Sequence, residues 1–296
     1  MLKQYRLWRY YFYDIPCWAL GLRSKKRWHS LQKSLEQSQA ELLNGLQKFK
    51  QFHPHINLKS ALEKALFVRI IKNTDAYTCI NLNKKKLDQY VKISGIKHLL
   101  DAQKQQRPII LLTGHIGSFY VIPAIFSQLD INMNLLARSV DHSKNNPCSQ
   151  QYFERLNYYF TEKKMLGQYI YTNYTNKLDR KIITTCKENG ILLALIDIPK
   201  SLFSGRHHPV KLLGKPASLP RGIIDLGKKY NALFLTVWNT IEMTENFSCI
   251  RHLNIEPIMP DNLDANTYLQ LYADRLSLQV QQQPWQWMGI SVFEHY

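Results

Sequence analysis

The sequence predicts an α/β protein with a central mixed sheet flanked by helices and a basic helical N-terminal region. From about Arg107 onward, short apolar runs of strand length alternate with amphipathic segments, which is typical of a layered α/β sheet. Before that point, apolar residues recur at helical spacing among many lysines and arginines. With 296 residues, of which 45% are hydrophobic, the chain is long enough to bury a substantial core.

Helices are expected throughout the first ninety residues. Apolar residues between Trp28 and Phe49 recur at spacings of three, four and seven, which predicts a helix with one apolar face over residues 24–52. Residues 58–80 predict a second helix, and residues 84–91 a third. We therefore divide the chain into a helical, basic, membrane-surface region, residues 1–90, and an α/β domain, residues 91–296.

The α/β domain is expected to alternate strands and helices without an internal repeat. The expected strands are 108–112, 132–137, 168–172, 191–196, 232–238 and 247–255. The expected helices are 117–128, 147–160, 177–188, 217–229 and 265–283, and residues 198–216 are expected to form a loop. This order of elements predicts a single sheet covered by helices.

Positive charge is concentrated in the first third of the chain. The whole chain has 39 Lys+Arg and 22 Asp+Glu, and residues 1–107 hold 21 and 7 of these, which gives +14 of the total +17. Such a region suits an anionic membrane surface, nucleic acid or simply a solvated face. Nucleic acid is disfavoured because no recognised motif is present and the basic residues are spread over several helices.

An aromatic segment, residues 7–22, is a candidate in-plane membrane anchor. Its uncharged part is too short to cross a bilayer, and it lacks the cleavage site of a secretory signal. Its Trp and Tyr side chains favour a membrane interface, and a basic cluster, residues 23–27, follows directly. A core-packing helix is the alternative. A second uncharged run, residues 108–129, is interpreted as strand, turn and helix rather than as a membrane span.

Neither a metal nor a resident cofactor is predicted. The five cysteines are scattered and include no CxxC pair, so the sequence supports neither a zinc site nor a disulfide framework. We expect reduced thiols, which favour a cytosolic location. The chain also lacks the glycine-rich GxGxxG and GxxxxGK[ST] motifs, which argues against a dehydrogenase or a kinase.

The most informative segment is residues 108–120, PIILLTGHIGSFY. A buried strand ends at Thr113, and Gly114, His115 and Gly117 occupy the turn before a helix. In open α/β sheets, functional groups collect at the carboxyl ends of strands, so His115 is a candidate base at the rim of a crevice. The glycines permit close backbone approach, and N–H groups at the following helix start are candidates to bind an oxyanion. Alternatively, His115 caps that helix.

Charged residues also follow two other predicted strands. Asp197 follows one strand and Arg138 another, so a base, a carboxylate and a cation are expected to line one crevice. Asp197 equally suits a turn cap. The loop with Arg206 and Lys211 is a candidate site for phosphates of a carrier or a lipid headgroup, and a solvated loop is the alternative.

The order and spacing of these segments resemble the late lipid A acyltransferases, which are lauroyl and myristoyl transferases of the lysophospholipid acyltransferase superfamily. The resemblance covers about residues 95–290. It rests on the strand–Gly-His–helix of 109–128, Arg138, the strand ending at Asp197, the segment GKPASLP at 214–220, the strand 232–238 and the closing QPWQWM at 283–288.

The resemblance implies an acyltransferase-like domain over residues 91–296. It implies that His115 takes a proton from an acceptor hydroxyl or amine, which then attacks an acyl thioester carried by acyl carrier protein or coenzyme A. The implied acceptor is a lipid or glycolipid, as in lipid A and lipopolysaccharide biosynthesis. The implied location is the cytoplasmic face of a bacterial inner membrane, with peripheral or monotopic attachment to anionic lipids.

From their positions in the sequence we expect substrate-binding roles for five residues near the candidate base or on the basic loop. These residues are Gly114, Gly117, Arg138, Arg206 and Lys211. Nucleic acid is not an expected partner.

One position departs from the family pattern. The family has an acidic residue five positions after the histidine, where this chain has Tyr120. A tyrosine can accept the imidazole N–H but carries no formal charge, a loss of about 1–2 kcal/mol. Three interpretations stay open: a slower enzyme that uses Tyr120, an enzyme whose carboxylate is Asp197, or a catalytically inactive lipid-binding relative. A transferase with a different acceptor is a further alternative.

Overall fold

The computed structural model describes residues 36–72, 74–138, 148–172, 180–203, 205–244 and 249–296. The predicted α/β fold class is confirmed, because these residues form a seven-stranded mixed sheet flanked by ten α-helices, with a separate two-stranded hairpin. The candidate anchor, residues 7–22, lies outside the described residues. Within the described ranges, none of the helices combines the length and the apolar character needed to cross a bilayer.

The helices and strands have the following bounds in chain order. The helices are α1 (Glu36–Lys50), α2 (Leu58–Lys72), α3 (Asp75–Asn81), α4 (Lys84–Tyr90), α5 (Ile96–Lys104), α6 (Ile122–Gln128), α7 (Cys148–Lys163), α8 (Arg180–Lys187), α9 (Gly222–Lys229) and α10 (Ala265–Gln282). The strands are β1 (Val91–Ser94), β2 (Ile109–Thr113), β3 (Asn134–Arg138), β4 (Tyr169–Thr172), β5 (Ile191–Leu195), β6 (His207–Leu212), β7 (Lys215–Pro220), β8 (Leu233–Met243) and β9 (Cys249–Ile255).

The strand β2 lies at the centre of the sheet, whose order is β1-β9-β8-β2-β5-β3-β4. The strands β2, β3, β4, β5 and β8 are parallel to one another, whereas β9 is antiparallel to β8 and β1 is parallel to β9. The carboxyl ends of five strands therefore share one edge of the sheet. The end of β2 is flanked at this edge by the end of β5 on one side and by β8, which continues beyond it, on the other. The loops that follow β2 and β5 therefore meet there.

Side chains of β2 are buried on both faces of the sheet. Ile110 belongs to one hydrophobic core and Leu111 to the other, because successive side chains of a strand point to opposite faces. Phe49 of α1 packs in the first core and Leu87 of α4 in the second. The helices before β1 are thus packed against the sheet, and each fully buried large apolar side chain contributes about 1.5–3 kcal/mol.

The sequence interpretation was wrong over residues 207–220. The expected loop and helix start are instead the antiparallel hairpin β6–β7. Leu213 and Gly214 connect the two strands, and both have positive φ, +52° and +81° respectively. This is the backbone of a two-residue hairpin turn, which usually has Asn or Gly at the first position, so Leu213 gave no sequence signal for it.

Three other elements differ from the prediction. The helix expected over residues 58–80 is divided into α2 and α3, and the Thr74 hydroxyl donates a hydrogen bond to the Ile71 carbonyl at 2.6 Å near the break. Such side-chain bonds compete with helical ones. The strand β1 and the helix α5 were not predicted, since β1 has only four residues and lies at an edge of the sheet.

A buried ion pair lies beneath the turn that follows β2. Arg251 Nη2 is 3.3 Å from Asp75 Oδ1, and the two side chains are 2% and 1% exposed. Ser118 Oγ donates to Asp75 Oδ1 at 2.7 Å and accepts from Arg251 Nε at 3.1 Å. Burial raises the pKa of Asp75 to about 6, and the Arg251 charge opposes this shift. The pair therefore ties Ser118, and the turn to which it belongs, to α3 and β9.

We expect Arg251→Met to lower the free energy of unfolding by about 3–5 kcal/mol, because Asp75 then lies buried without its partner. Denaturant unfolding measures the loss. Adding Asp75→Asn should recover part of it, since the double variant has no unpaired buried charge. Lys92→Met, which removes an exposed ion pair with Glu242, is the control and should change little. A loss for Arg251→Met no larger than the control's would contradict this role.

Candidate active site

His115 and Asp197, which the sequence analysis placed at neighbouring strand ends, are hydrogen-bonded to each other. Thr113 of β2 and Leu195 of β5 are opposite in register, and His115 and Asp197 each lie two residues beyond these positions. His115 Nδ1 is 2.7 Å from Asp197 Oδ1. The parallel pairing of β2 and β5 thus brings together two residues that are 82 positions apart in the chain.

The Asp197 side chain is fully buried, and its oxygens accept three N–H groups. Besides the ring contact at Oδ1, Oδ2 accepts from the His115 main-chain N–H at 2.7 Å and from Trp287 Nε1 at 2.9 Å. The Tyr296 hydroxyl donates to the Asp197 carbonyl at 2.8 Å. A buried carboxylate is costly unless its oxygens are hydrogen-bonded, so these donors stabilise the charge in place.

These contacts select one tautomer of the His115 ring. An ionised carboxylate has no hydrogen to donate, so Nδ1 carries the proton and Nε2 of the neutral ring keeps its lone pair. The side chain of His115 is 31% exposed, and Nε2 has no hydrogen-bond partner among the described residues. The basic nitrogen is therefore available to an incoming molecule.

The turn after β2 uses its own N–H groups within the protein. These bonds run from His115 to Asp197 Oδ2 (2.7 Å), from Ile116 to the Gly114 carbonyl (2.7 Å), from Gly117 to the Gln286 carbonyl (2.8 Å) and from Ser118 to the Asn239 carbonyl (2.9 Å). They leave none of these four N–H groups for an oxyanion. The next two, of Phe119 and Tyr120, have no acceptor within the described ranges.

The two glycines of the turn make room for protein groups. A Cβ atom at Gly114 would lie 2.9 Å from Asp197 Oδ2, and one at Gly117 would lie 2.3 Å from the Asn239 carbonyl oxygen. Gly117 also has a φ of +51°, a backbone angle that residues other than glycine rarely adopt. Both positions thus require glycine for the site to form, and a contact of either with substrate stays a prediction.

Tyr120 is not the partner of the imidazole. It lies in a short 3₁₀ turn, Phe119–Val121, and in the described structure no hydrogen bond joins it to His115. The Phe119 ring contacts both side chains. Its centroid is 4.9 Å from that of the His115 ring and 4.4 Å from that of the Tyr120 ring. Tyr120 is 40% exposed, and desolvation of its buried part, with smaller effects of nearby Asp75 and Tyr171, raises the pKa of its phenol.

Arg138 is the last residue of β3, which pairs with β5 at the same edge of the sheet. Its backbone therefore ends at the edge of the sheet that carries His115 and Asp197, and a place for its charge in the same crevice stays a prediction. Its side chain lies outside the described part of the structure.

Arg206 and Lys211, the two basic residues predicted to bind phosphate, contact other parts of the protein. Arg206 Nη1 is 3.5 Å from Asp225 Oδ2 of α9. The main chain of Lys211 exchanges two hydrogen bonds with Gln270 of α10, at 2.8 and 2.9 Å. Both residues are exposed, so contact with a phosphate stays a prediction.

No protein-family model matches this chain, and neither does any curated protein sequence. The resemblance to the lipid A acyltransferases therefore rests on the segments quoted above.

Trp287 is a site residue that sequence reasoning assigned to packing. Its side chain is 1% exposed, yet its indole N–H donates to Asp197. The segment around it also pairs with the turn, through a bridge between Ile116 and Trp287 and a bond from the Met288 N–H to the His115 carbonyl at 2.9 Å. The aromatic closing segment of the chain was the signal that could have indicated this role.

Lys72 is a second site residue that the sequence analysis did not single out. It ends α2, and its ammonium contacts Met288 Sδ and lies 5.3 Å from the centre of the Phe119 ring. Burial lowers the pKa of Lys72 to about 8, opposed by Asp75 and more weakly by Asp197. A cation therefore lies beside the His115–Asp197 pair. The sequence around position 72 contains no motif that predicts this role.

Asp197→Asn should move the ring proton of His115 from Nδ1 to Nε2. The amide oxygen must take the place of Oδ2, because an NH₂ group there would face two N–H donors. The NH₂ group then faces Nδ1 and makes it an acceptor. Nitrogen NMR shifts of the imidazole report the tautomer, with Asp225→Asn as the control that should leave it unchanged. A ring that keeps its Nδ1 proton in Asp197→Asn would show that this account of the site is mistaken.

Proposed function

We propose that this protein is an acyltransferase that moves a fatty acyl group from a thioester to a hydroxyl or amine of a lipid or glycolipid acceptor. The observation that carries the proposal is the 2.7 Å contact between His115 Nδ1 and the buried Asp197 carboxylate. An imidazole held in this way, with Nε2 open, is suited to remove a proton from a nucleophile. Because such a pair serves many reactions, the thioester and the lipid acceptor come from the family resemblance.

In the proposed reaction, His115 Nε2 accepts the acceptor's proton as the acceptor oxygen or nitrogen attacks the thioester carbonyl. A bond forms between that atom and the carbonyl carbon, and the carbonyl oxygen becomes an oxyanion. The intermediate collapses as the carbon–sulfur bond breaks, and the leaving thiolate takes the proton from Nε2. Asp197 stabilises the imidazolium through the Nδ1 hydrogen and does not itself take the proton.

The position of Asp197 supports an active enzyme over an inactive lipid-binding relative. Tyr120 replaces the acidic residue of the family pattern, and the Asp197 carboxylate contacts the imidazole instead. A charge-assisted hydrogen bond is stronger than a neutral one by about 1–2 kcal/mol. With Asp197 as the partner, the imidazolium keeps this stabilisation, which a tyrosine partner would not provide.

We infer that the reaction takes place on the anionic cytoplasmic surface of a bacterial inner membrane, with the protein attached peripherally. The net charge of +14 in residues 1–107 supports this, since each basic residue near such a surface contributes about 1 kcal/mol. The donor thioester would be delivered by acyl carrier protein or coenzyme A, and the product would belong to lipid A-like biosynthesis.

Cells that contain the protein should accumulate a lipid or glycolipid heavier by one acyl group than cells without it, as measured by mass spectrometry of total lipids. With purified protein, that lipid extract and fatty acyl thioesters, His115→Ala should lower thiol release by about 10²–10⁴-fold, because it removes the base. His252→Ala is a matched control, since His252 also pairs with a carboxylate, Glu242, but on the surface. No mass difference, or one that persists in His115→Ala, would rule out the proposal.

The full-length protein should sediment with vesicles that contain anionic phospholipid and should be released as salt increases, because surface attraction between charges is screened. Neutral phosphatidylcholine vesicles and RNA are the comparisons, and neither should retain the protein as well. Equal sedimentation with neutral vesicles would argue against an electrostatic surface, and preference for RNA would argue for nucleic acid.

A further inference from the structure

The proposed reaction places negative charge on the thioester oxygen, and the turn beside His115 supplies few groups to receive it. The four N–H groups from His115 to Ser118 all donate to protein acceptors. The N–H groups of Phe119 and Tyr120 have no acceptor in the described residues, but they carry no formal charge. Stabilisation of an oxyanion is commonly the largest single contribution to acyl-transfer catalysis, so a further donor is needed.

Lys72 is a candidate for such a donor because its ammonium lies close to residues that contact His115. Its Nζ lies against Met288 Sδ and 5.3 Å from the centre of the Phe119 ring, whose own centre is 4.9 Å from that of His115. Met288 in turn donates its N–H to the His115 carbonyl. Lys72 and His115 thus have Phe119 and Met288 as common neighbours, although Met288 bonds to the main chain of His115 and not to its ring.

The Lys72 ammonium is not neutralised by a direct ion pair. In the part of the chain that the structure describes, no carboxylate oxygen lies within 4.0 Å of its Nζ. The charged groups around it are Asp75 and Asp197, which favour the ammonium, and Arg69, which disfavours it. A partly buried cation without a bound carboxylate attracts an anion that enters the site strongly, because the charges interact where the effective dielectric constant is low.

We propose that Lys72 is a second catalytic residue, whose ammonium donates a hydrogen bond to the thioester oxyanion while His115 holds the transferred proton. This inference rests on the proposed acyltransferase function. As the acceptor atom bonds to the carbonyl carbon, the π electron pair moves onto the oxygen that Lys72 contacts. When the carbon–sulfur bond breaks, the pair returns to the carbonyl, and Lys72 neither gains nor loses a proton.

The test uses the full-length protein, fatty acyl-coenzyme A and the lipid extract in which the protein adds an acyl group. The rate of thiol release is measured. Lys72→Met should lower kcat by about 10²-fold or more with a much smaller change in KM, because an oxyanion forms only after substrate binds. Lys72→Arg should restore a substantial part of the rate. Lys59→Met is the control, because Lys59 is exposed on the same helix and carries the same charge.

The pH profile separates a catalytic role from a structural one. In the wild type, kcat should fall as the pH rises through about 8, since Lys72 then loses its proton. Lys72→Arg should lack that fall, because a guanidinium stays charged at such pH. If Lys72 had only a structural role, Lys72→Met would lower the midpoint of thermal unfolding. The pH profile of kcat in Lys72→Arg would then fall at alkaline pH as in the wild type.

Failures of the two proposals can be told apart. If Lys72→Met retains the wild-type kcat while His115→Ala does not, the Lys72 inference is overturned, the acyltransferase proposal stands and the Phe119 and Tyr120 amides become the oxyanion donors. If the wild type releases no more thiol than His115→Ala, both proposals fall. A rate loss in Lys72→Met that Lys72→Arg does not recover at any pH would also overturn the role of the positive charge.

Discussion

The site depends on keeping one carboxylate charged where no water reaches it. Asp197 is fully buried, and the cost of burying its charge is offset by N–H donors from two different parts of the chain. One part is the turn after β2, which supplies the His115 main chain and ring, and the other is the closing segment, which supplies Trp287. Each part is therefore fixed relative to the end of β5. Burial, reinforced by the Asp197 charge, also raises the pKa of Tyr296 well above its ordinary value, so its hydroxyl remains a donor to the Asp197 carbonyl.

A second buried charge holds the same turn from the opposite end. Asp75 and Arg251 meet at Ser118, three residues beyond His115, so the turn is bonded to Asp197 at its start and to this ion pair at its finish. Gly117 lies between the two attachments and closes onto the main chain of β8, where a Cβ atom would not fit. The imidazole is consequently held by a turn that is attached at both ends, which the proposed role of His115 as a base requires, since its free nitrogen must then meet a substrate in one orientation.

Patterns within the chain predicted the sheet and the pair, because both follow from short-range signals. Buried strands that end in His115 and Asp197 were visible as apolar runs, and parallel strands bring their ends to one edge. The role of Lys72 could not be found in this way, since it comes from contacts between distant elements and not from a local motif. The aromatic closing segment drew attention to Trp287, but its bond to Asp197 also depends on a contact between distant elements. The β6–β7 hairpin was missed for a different reason. Leu213 adopts a positive φ, which a leucine in the sequence does not predict.

The source of the carboxylate changes what the pair depends on. In the family pattern the acidic residue follows the histidine by five positions, so both lie in one short segment of the chain. Here the carboxylate comes from a neighbouring strand, so the pair depends on the register of β2 against β5. A shift of one residue in that register would turn the Asp197 side chain to the other face of the sheet and leave a buried charge without donors. The central strands are buried on both faces, which makes such a shift costly. The ring of Tyr120 packs against that of Phe119.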